Sequence, residues 1–237
     1  MPAELRVFAD AGELGEALAE EMLAAYAAGH GPFLLGCPGG RSPLTTYRAL
    51  ARRAGNLNRL VVVMMDEYAG AAADAHHSCR GFAERELAGP LGLRGDQVWL
   101  PDEHDPAAYD ERIADAGGID LFVLASGASD GHVAFNPPGS ARAGRTAVLA
   151  LGETTRRDNL ATFPQFASLD EVPRAGVSVG LGTIADARAL RLVLLGEGKH
   201  EATRRLLELE RFDPAWPASI VHDHSDAQIL ADRGALG

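Results

Sequence analysis

Apolar runs of strand length alternate with segments of helical period along nearly the whole chain. Residues 60–65, Leu-Val-Val-Val-Met-Met, have no polar break, and residues 32–37, 119–124 and 192–195 are nearly as apolar. Runs without alternation fit strands buried on both faces, as in a parallel sheet covered by helices. Residues 6–9, 145–151, 176–180, 219–222 and 228–231 complete the predicted strands. Between them, Leu14, Leu18, Met22 and Tyr26 recur every four residues and predict a helix over 12–28. Further helices are predicted over 44–53, 77–87, 106–116, 183–190 and 199–210, with Ser42 capping the first of these and Thr183 the fourth. The sum is an α/β fold of three layers: a doubly wound, Rossmann-like, mostly parallel sheet with helices on both faces.

Composition narrows this picture. The chain has 237 residues, and no linker or low-complexity run divides it, so a single domain over 1–237 is expected. A formal net charge of −11 with no compensating basic stripe argues against nucleic acid as a partner. A small anion remains compatible, because a few local cations or a helix N-terminus suffice to hold one. No apolar stretch reaches the length of a membrane span, and the first residues lack a signal-like apolar core, so no membrane association and a cytoplasmic location are expected. Cys37 and Cys79 have no metal-site or disulfide-framework spacing, which fits a reducing compartment.

In doubly wound sheets, ligands bind outside the carboxyl ends of the strands. Four such ends carry polar or glycine-rich segments. Gly39, Gly40, Arg41 and Ser42 follow the strand at 32–37; their backbone could approach a phosphate, or the glycines could simply serve a turn. Asp66, Glu67 and Tyr68 follow the run at 60–65. Two adjacent acids there need partners or a task, and on extended backbone they point to opposite sides. One can face a cleft while the other pairs within the protein; a helix cap or loop acid is the plainer alternative. Asp130 and His132 follow the strand at 119–124, close enough for the carboxylate to orient the imidazole, although Asp-Gly also marks a turn. Lys199 opens a helix after 192–195, placed to hold an anion or simply exposed. His76-His77 and His222-Asp223-His224 raise the question of metal, with His222 and His224 on one face of a strand. Their spacing supplies no third ligand, and no metal is expected. Gly127-Ala128-Ser129 lacks the second glycine of a serine-hydrolase elbow.

Taken together and in this order, LGCPGGRSP, MMDEY, HHSCRGF, SDGHVAFNPPGS, TRRDN, VSVGLGTIADA, LLGEGKHEA and PASIVHDH resemble the superfamily of glucosamine-6-phosphate deaminase/isomerases and 6-phosphogluconolactonases, from about residue 30 to about residue 231. MDEY with its following His-x-Ser, the Phe-Asn after Asp-Gly-His, VSVGLGTI and PASI are similar to the deaminase branch, whereas GGRSP is similar to the lactonase loop. The resemblance implies that Asp66 carries a proton from C2 to C1 of an opened sugar and that His132, oriented by Asp130, opens the ring. It further implies that Gly39, Gly40, Arg41, Ser42 and Lys199 bind the sugar phosphate, that Glu67, Tyr68 and Asn136 support them, and that no cofactor takes part. Two positions depart from the deaminase pattern: Pro137 stands where the deaminases carry a glutamate that assists ring opening, and Ala161 where they carry a phosphate-binding arginine.

Three functions follow as expectations. The first is a deaminase/isomerase of glucosamine 6-phosphate or a related hexose phosphate, working as a monomer or small homo-oligomer. The second is a 6-phosphogluconolactonase-type hydrolase, and the third a sugar-phosphate-binding protein without turnover.

Overall fold

Residues 2–72, 75, 77–163 and 166–237 are described by a computed structural model. Strand β1 (Glu4–Phe8) is followed by α1 (Ala11–Ala28), whose first N–H groups are capped by the Asp10 carboxylate. Next come β2 (Phe33–Cys37), α2 (Leu44–Arg53), β3 (Leu60–Met64) and, one residue later, β4 (Asp66–Tyr68). The helix predicted over 77–87 is a composite. Ser78 caps α3 (Cys79–Ala83), which runs through a π-helical turn (Glu84–Ala88) into α4 (Gly89–Leu91). The chain continues through β5 (Val98–Trp99), α5 (Pro106–Asp115), β6 (Leu121–Ala125), β7 (Ala147–Ala150), α6 (Glu153–Thr162) and β8 (Ala175–Ser178). It ends through α7 (Leu181–Ala185), β9 (Leu190–Leu194), α8 (His200–Glu208), β10 (Ala227–Asp232) and α9 (Arg233–Leu236).

Seven strands form one parallel sheet in the order β1-β10-β9-β6-β2-β3-β5. Alternate residues of its strands enter different cores. Leu35, Val62, Val123 and Val193 meet Leu14, Leu18, Tyr47 and Leu50 of α1 and α2 on one face. Leu34, Val63, Leu124 and Leu192 meet Tyr109, Ile184 and Leu206 of α5, α7 and α8 on the other. Both faces are thus covered, as the unbroken apolar runs require. The expected doubly wound α/β architecture is present, and the chain reverses its direction of sheet-building between β2 and β6. At such a reversal the loops after the two strands diverge and leave a crevice. Gly36 of β2 lies at this seam; a Cβ there would stand 2.1 Å from the Phe122 ring of β6.

Several expectations need correction. Residues 145–151 and 176–180 do form strands, β7 and β8, but these join β4 in a separate antiparallel sheet, order β4-β8-β7. Asp66 therefore begins a strand of its own opposite Ser178. Residues 219–222 are a 3-10 helix, Pro217–Asp223, because Pro217 has no N–H for a strand ladder and sits where a helical turn begins. His222 and His224 consequently do not share a strand face. The Ala3 N–H donates to His222 Nδ1, while His222 Nε2 and His224 Nε2 bond the carbonyls of Leu206 and Ala187. His76 lies outside the described residues. Ser42 does not cap α2: Pro43 occupies the cap position, and no side chain caps it. Thr183 lies inside α7, where its hydroxyl donates to Asp110 Oδ1 at 2.6 Å. No described helix is long and apolar enough to cross a membrane.

Candidate active site

A cavity of about 670 Å³ opens at the carboxyl ends of β2, β3, β6 and β9, at the reversal point of the sheet. Its size is in the range of small-molecule pockets. All four chemistry-bearing segments reach it: Gly39, Gly40, Arg41 and Ser42 after β2; Asp66 and Tyr68 after β3; His132 after β6; and Lys199 after β9.

Asp66 lies on the cavity wall. It is only 6% exposed, and burial raises its pKa to about 7, with the Glu67 charge adding to the rise while the Cys79 hydrogen bond and His132 oppose it. An acid held there is half-ionised at neutral pH and can both take and return a proton. Glu67 points the other way, as extended backbone dictates. Its carboxylate accepts the N–H groups of Tyr68, Cys79 and Arg80 at 2.8–2.9 Å and so fastens the start of α3 to β4. Tyr68 forms part of the wall, its ring stacked on Phe135 at 5.4 Å and edged by Phe163 and Phe166.

His132 is held by its neighbour. Its Nδ1–H donates to Asp130 Oδ1 at 2.7 Å, and the same oxygen accepts the His132 backbone N–H at 3.1 Å. That bond fixes the tautomer with the lone pair on Nε2, which has no hydrogen-bond partner among the described residues. Burial pushes the Asp130 carboxyl up, but the bonds and charge of His132 outweigh it, and the group titrates below its ordinary value. Two glycines make this pair possible. A Cβ on Gly127 would fall 2.2 Å from His132 Nδ1 and 2.5 Å from Asp130 Oδ1. Gly131 has φ +66°, and a Cβ there would meet the Trp216 ring at 2.3 Å. Ala134, also on the cavity wall, has φ +51°, a left-handed conformation that costs a non-glycine residue energy and that cavities and switches tend to retain.

Lys199 Nζ donates to the Ser126 carbonyl at 2.6 Å. Burial lowers its pKa, the nearby Arg41 charge lowers it further, and Asp158 and Asp130 partly restore it. Arg41 forms no ion pair among the described residues. Two cations and a glycine-rich turn, with Gly40 at φ +90°, make this part of the wall receptive to an anion.

Not every residue singled out in the sequence reaches the cavity. Asn136 is buried behind the wall, donating to the carbonyls of Val133 and Val179. Pro137 is not part of the lining; its carbonyl accepts from the Ser140 N–H and hydroxyl in a surface turn. Cys79, Asp158 and Asn159 do line it, although the sequence alone did not single them out as site residues. Helix α6 brings in the last two, and nothing local in TRRDN tells which of its polar residues face inward. Arg156 of the same motif is spent on structure, donating to the carbonyls of Val172 and Leu169.

A parallel sheet with its cavity at the reversal point, lined by an acid, a histidine and two cations, defines a class of small-molecule enzymes on a doubly wound fold. Residues 9–230 match the family described as glucosamine-6-phosphate isomerases/6-phosphogluconolactonase, and the chain belongs to that family. It is 37% identical over 243 residues to a glucosamine-6-phosphate deaminase of Streptomyces avermitilis, covering 98% of this chain and 91% of the relative. It is 39% identical to one of Rhodococcus jostii, covering 86% and 81%. Among solved structures, a monomeric glucosamine-6-phosphate deaminase superposes with a TM-score of 0.92 at 28% identity, covering 99% of this chain and all of that one. A 6-phosphogluconolactonase of Thermotoga maritima shares the fold, with a TM-score of 0.74 at 18% identity and 97% and 99% coverage.

Proposed function

We propose that this chain is a sugar-phosphate deaminase/isomerase that converts glucosamine 6-phosphate, or a closely related hexose phosphate, by ring opening followed by proton transfer from C2 to C1. The observation that carries the reading is one cavity lined by a buried acid titrating at about 7, a histidine whose Nε2 has no hydrogen-bond partner among the described residues, and the cations Lys199 and Arg41. The identity to named deaminases along nearly the whole chain supports it.

In this reading the phosphate lies against Lys199, Arg41 and the Gly39-Gly40-Ser42 turn. His132 Nε2 moves the proton between O1 and O5 as the ring opens, and Asp130 stabilises the imidazolium that forms. Ionised Asp66 then takes the C2 proton; the C2–H electron pair forms the C1–C2 double bond of an enolamine while the C1=O π pair moves to O1, which takes a proton from solvent. Return of that proton from Asp66 to C1 moves the double bond to C2–N and leaves an iminium at C2. One water hydrolyses it, so glucosamine 6-phosphate and water give fructose 6-phosphate and ammonia.

The test is to incubate the protein with glucosamine 6-phosphate and measure ammonia and fructose 6-phosphate. Equal release of both, lost in Asp66→Asn, is expected. No release, together with no effect of Asp66→Asn on isomerisation of any sugar phosphate, sinks the proposal. Lactone hydrolysis is the second reading, favoured by the absence of an acid at position 137 from the cavity. Acid release from 6-phosphogluconolactone that disappears in His132→Ala, without ammonia from the amino sugar, selects it. A sugar phosphate bound without turnover of either kind selects a binding protein.

A further inference from the structure

The cavity contains a thiol that the scheme above does not use. Cys79 is the first residue of α3, buried, and its Sγ–H donates to Asp66 Oδ1 at 3.2 Å. That is the single hydrogen bond Asp66 accepts on its side chain among the described residues, and Oδ2 accepts none. The thiol is placed by Glu67: its carboxylate holds the N–H groups of Cys79 and Arg80, while Ser78 caps the same turn by accepting from the Gly81 N–H. The backbone of Cys79 is therefore fixed from two sides, and its side chain has a defined direction.

We propose that Cys79 is a positioning residue for the reaction, a donor that turns the Asp66 carboxylate so that Oδ2 faces the sugar. The proposal rests on the proton-transfer role given to Asp66 above. It also gives the adjacent acids of MDEY a division of labour: Asp66 moves the proton, and Glu67 builds the turn that holds its donor.

A thiol suits this place physically. It is a weak donor, so it opposes the effect of burial on Asp66 without cancelling it. A full hydroxyl or N–H donor stabilises a carboxylate more strongly and draws its titration down toward the ordinary range, where a base is weaker. Burial and the acids beside it raise the thiol's own pKa, so Cys79 stays protonated and able to donate. The other titratable groups facing Asp66 are Glu67 and Tyr68 on β4, Tyr47 on α2, Tyr109 on α5 and His132 after β6. The three tyrosines are buried and titrate far above neutrality, so none changes charge in the range where Asp66 does.

The experiment is to titrate the Asp66 carboxyl carbon by 13C NMR in the free protein, and the pH profile of kcat, in the native chain, Cys79→Ala and Cys79→Ser. In Cys79→Ala the midpoint is expected to rise by about half a pH unit or more. The acid limb of kcat should rise with it, so that the loss of rate is large at pH 6.5 and small at pH 9. Cys79→Ser, which keeps a donor, returns the midpoint to the native value or below. An unchanged midpoint in Cys79→Ala overturns the proposal, as does an equal loss of rate at every pH in both variants, the mark of a packing role alone. The NMR arm needs no substrate. If no sugar phosphate is turned over but the midpoint moves as described, it is the functional reading that fails and the thiol's hold on Asp66 that stands.

Discussion

Lys199 and His132 both line the cavity, and each should fail in its own way when replaced. Lys199→Met removes a half-buried cation from the cavity wall. Loss of one charge-assisted bond, about 1.5–3 kcal/mol, is expected to raise KM for glucosamine 6-phosphate tenfold or more and to change kcat much less. Initial rates over a range of substrate concentrations decide this, and an unchanged KM would place the phosphate elsewhere. His132→Ala removes the group proposed to open the ring and should lower kcat by about 10²- to 10⁴-fold with a smaller change in KM. Asp66 and His132 were legible in the sequence because each follows an apolar run that had to be a buried strand. Cys79 and Asp158 were not, since their place on the wall depends on how α3 and α6 lie across the cavity.

Strands and helices set these groups in place through close approaches that admit no side chain. The turn after β6 is the sharpest case, because Gly127 packs directly on the Asp130–His132 pair. Gly127→Ala is expected to lose activity nearly as fully as His132→Ala, while Gly55→Ala, where a Cβ meets open space, should keep native rates. Ammonia release by the two purified variants gives the comparison; a fully active Gly127→Ala would show that the pair can shift without cost. Gly36 of β2 serves packing rather than chemistry. Gly36→Ala would drive a methyl into the Phe122 ring and should destabilise the fold by about 1–3 kcal/mol, read as a lower urea midpoint. At this scale the apolar runs predicted the main-sheet strands well, because burial on both faces leaves a local mark. Periodicity could not assign β4, β7 and β8 to a second sheet, since sheet membership is settled by distant partners: Asp66 pairs across 112 positions with Ser178. Nor did it find the 3-10 helix at Pro217–Asp223, whose apolar residues suit a short buried strand equally well.

For the molecule as a whole, the buried acid couples stability to function. Asp66 holds its proton more tightly folded than unfolded, with a pKa of about 7 against an ordinary 3.8. Its contribution to stability is therefore most favourable below pH 3.8 and is lost as the pH rises from 3.8 to 7. Asp66→Asn should match the native chain near pH 4 and exceed it at pH 8 by on the order of a few kcal/mol, each pH unit of the interval being worth about 1.4 kcal/mol. Urea unfolding at pH 4, 6 and 8 measures this, and a constant difference across the series would show that Asp66 is not strained by burial. The same variant should be inactive, so stability and activity oppose each other at one residue. The sequence by itself determined the layered α/β architecture, the strand ends that carry chemistry and the segments that mark the family, because hydrophobic periodicity, turn residues and short motifs are written in neighbouring positions. Only the tertiary structure decided that four distant strand ends share one cavity, that Pro137 stays outside it and that Asp66 titrates near neutrality. Those properties depend on which groups exclude water from one another, and residues far apart in the chain meet only when the sheet reverses between β2 and β6.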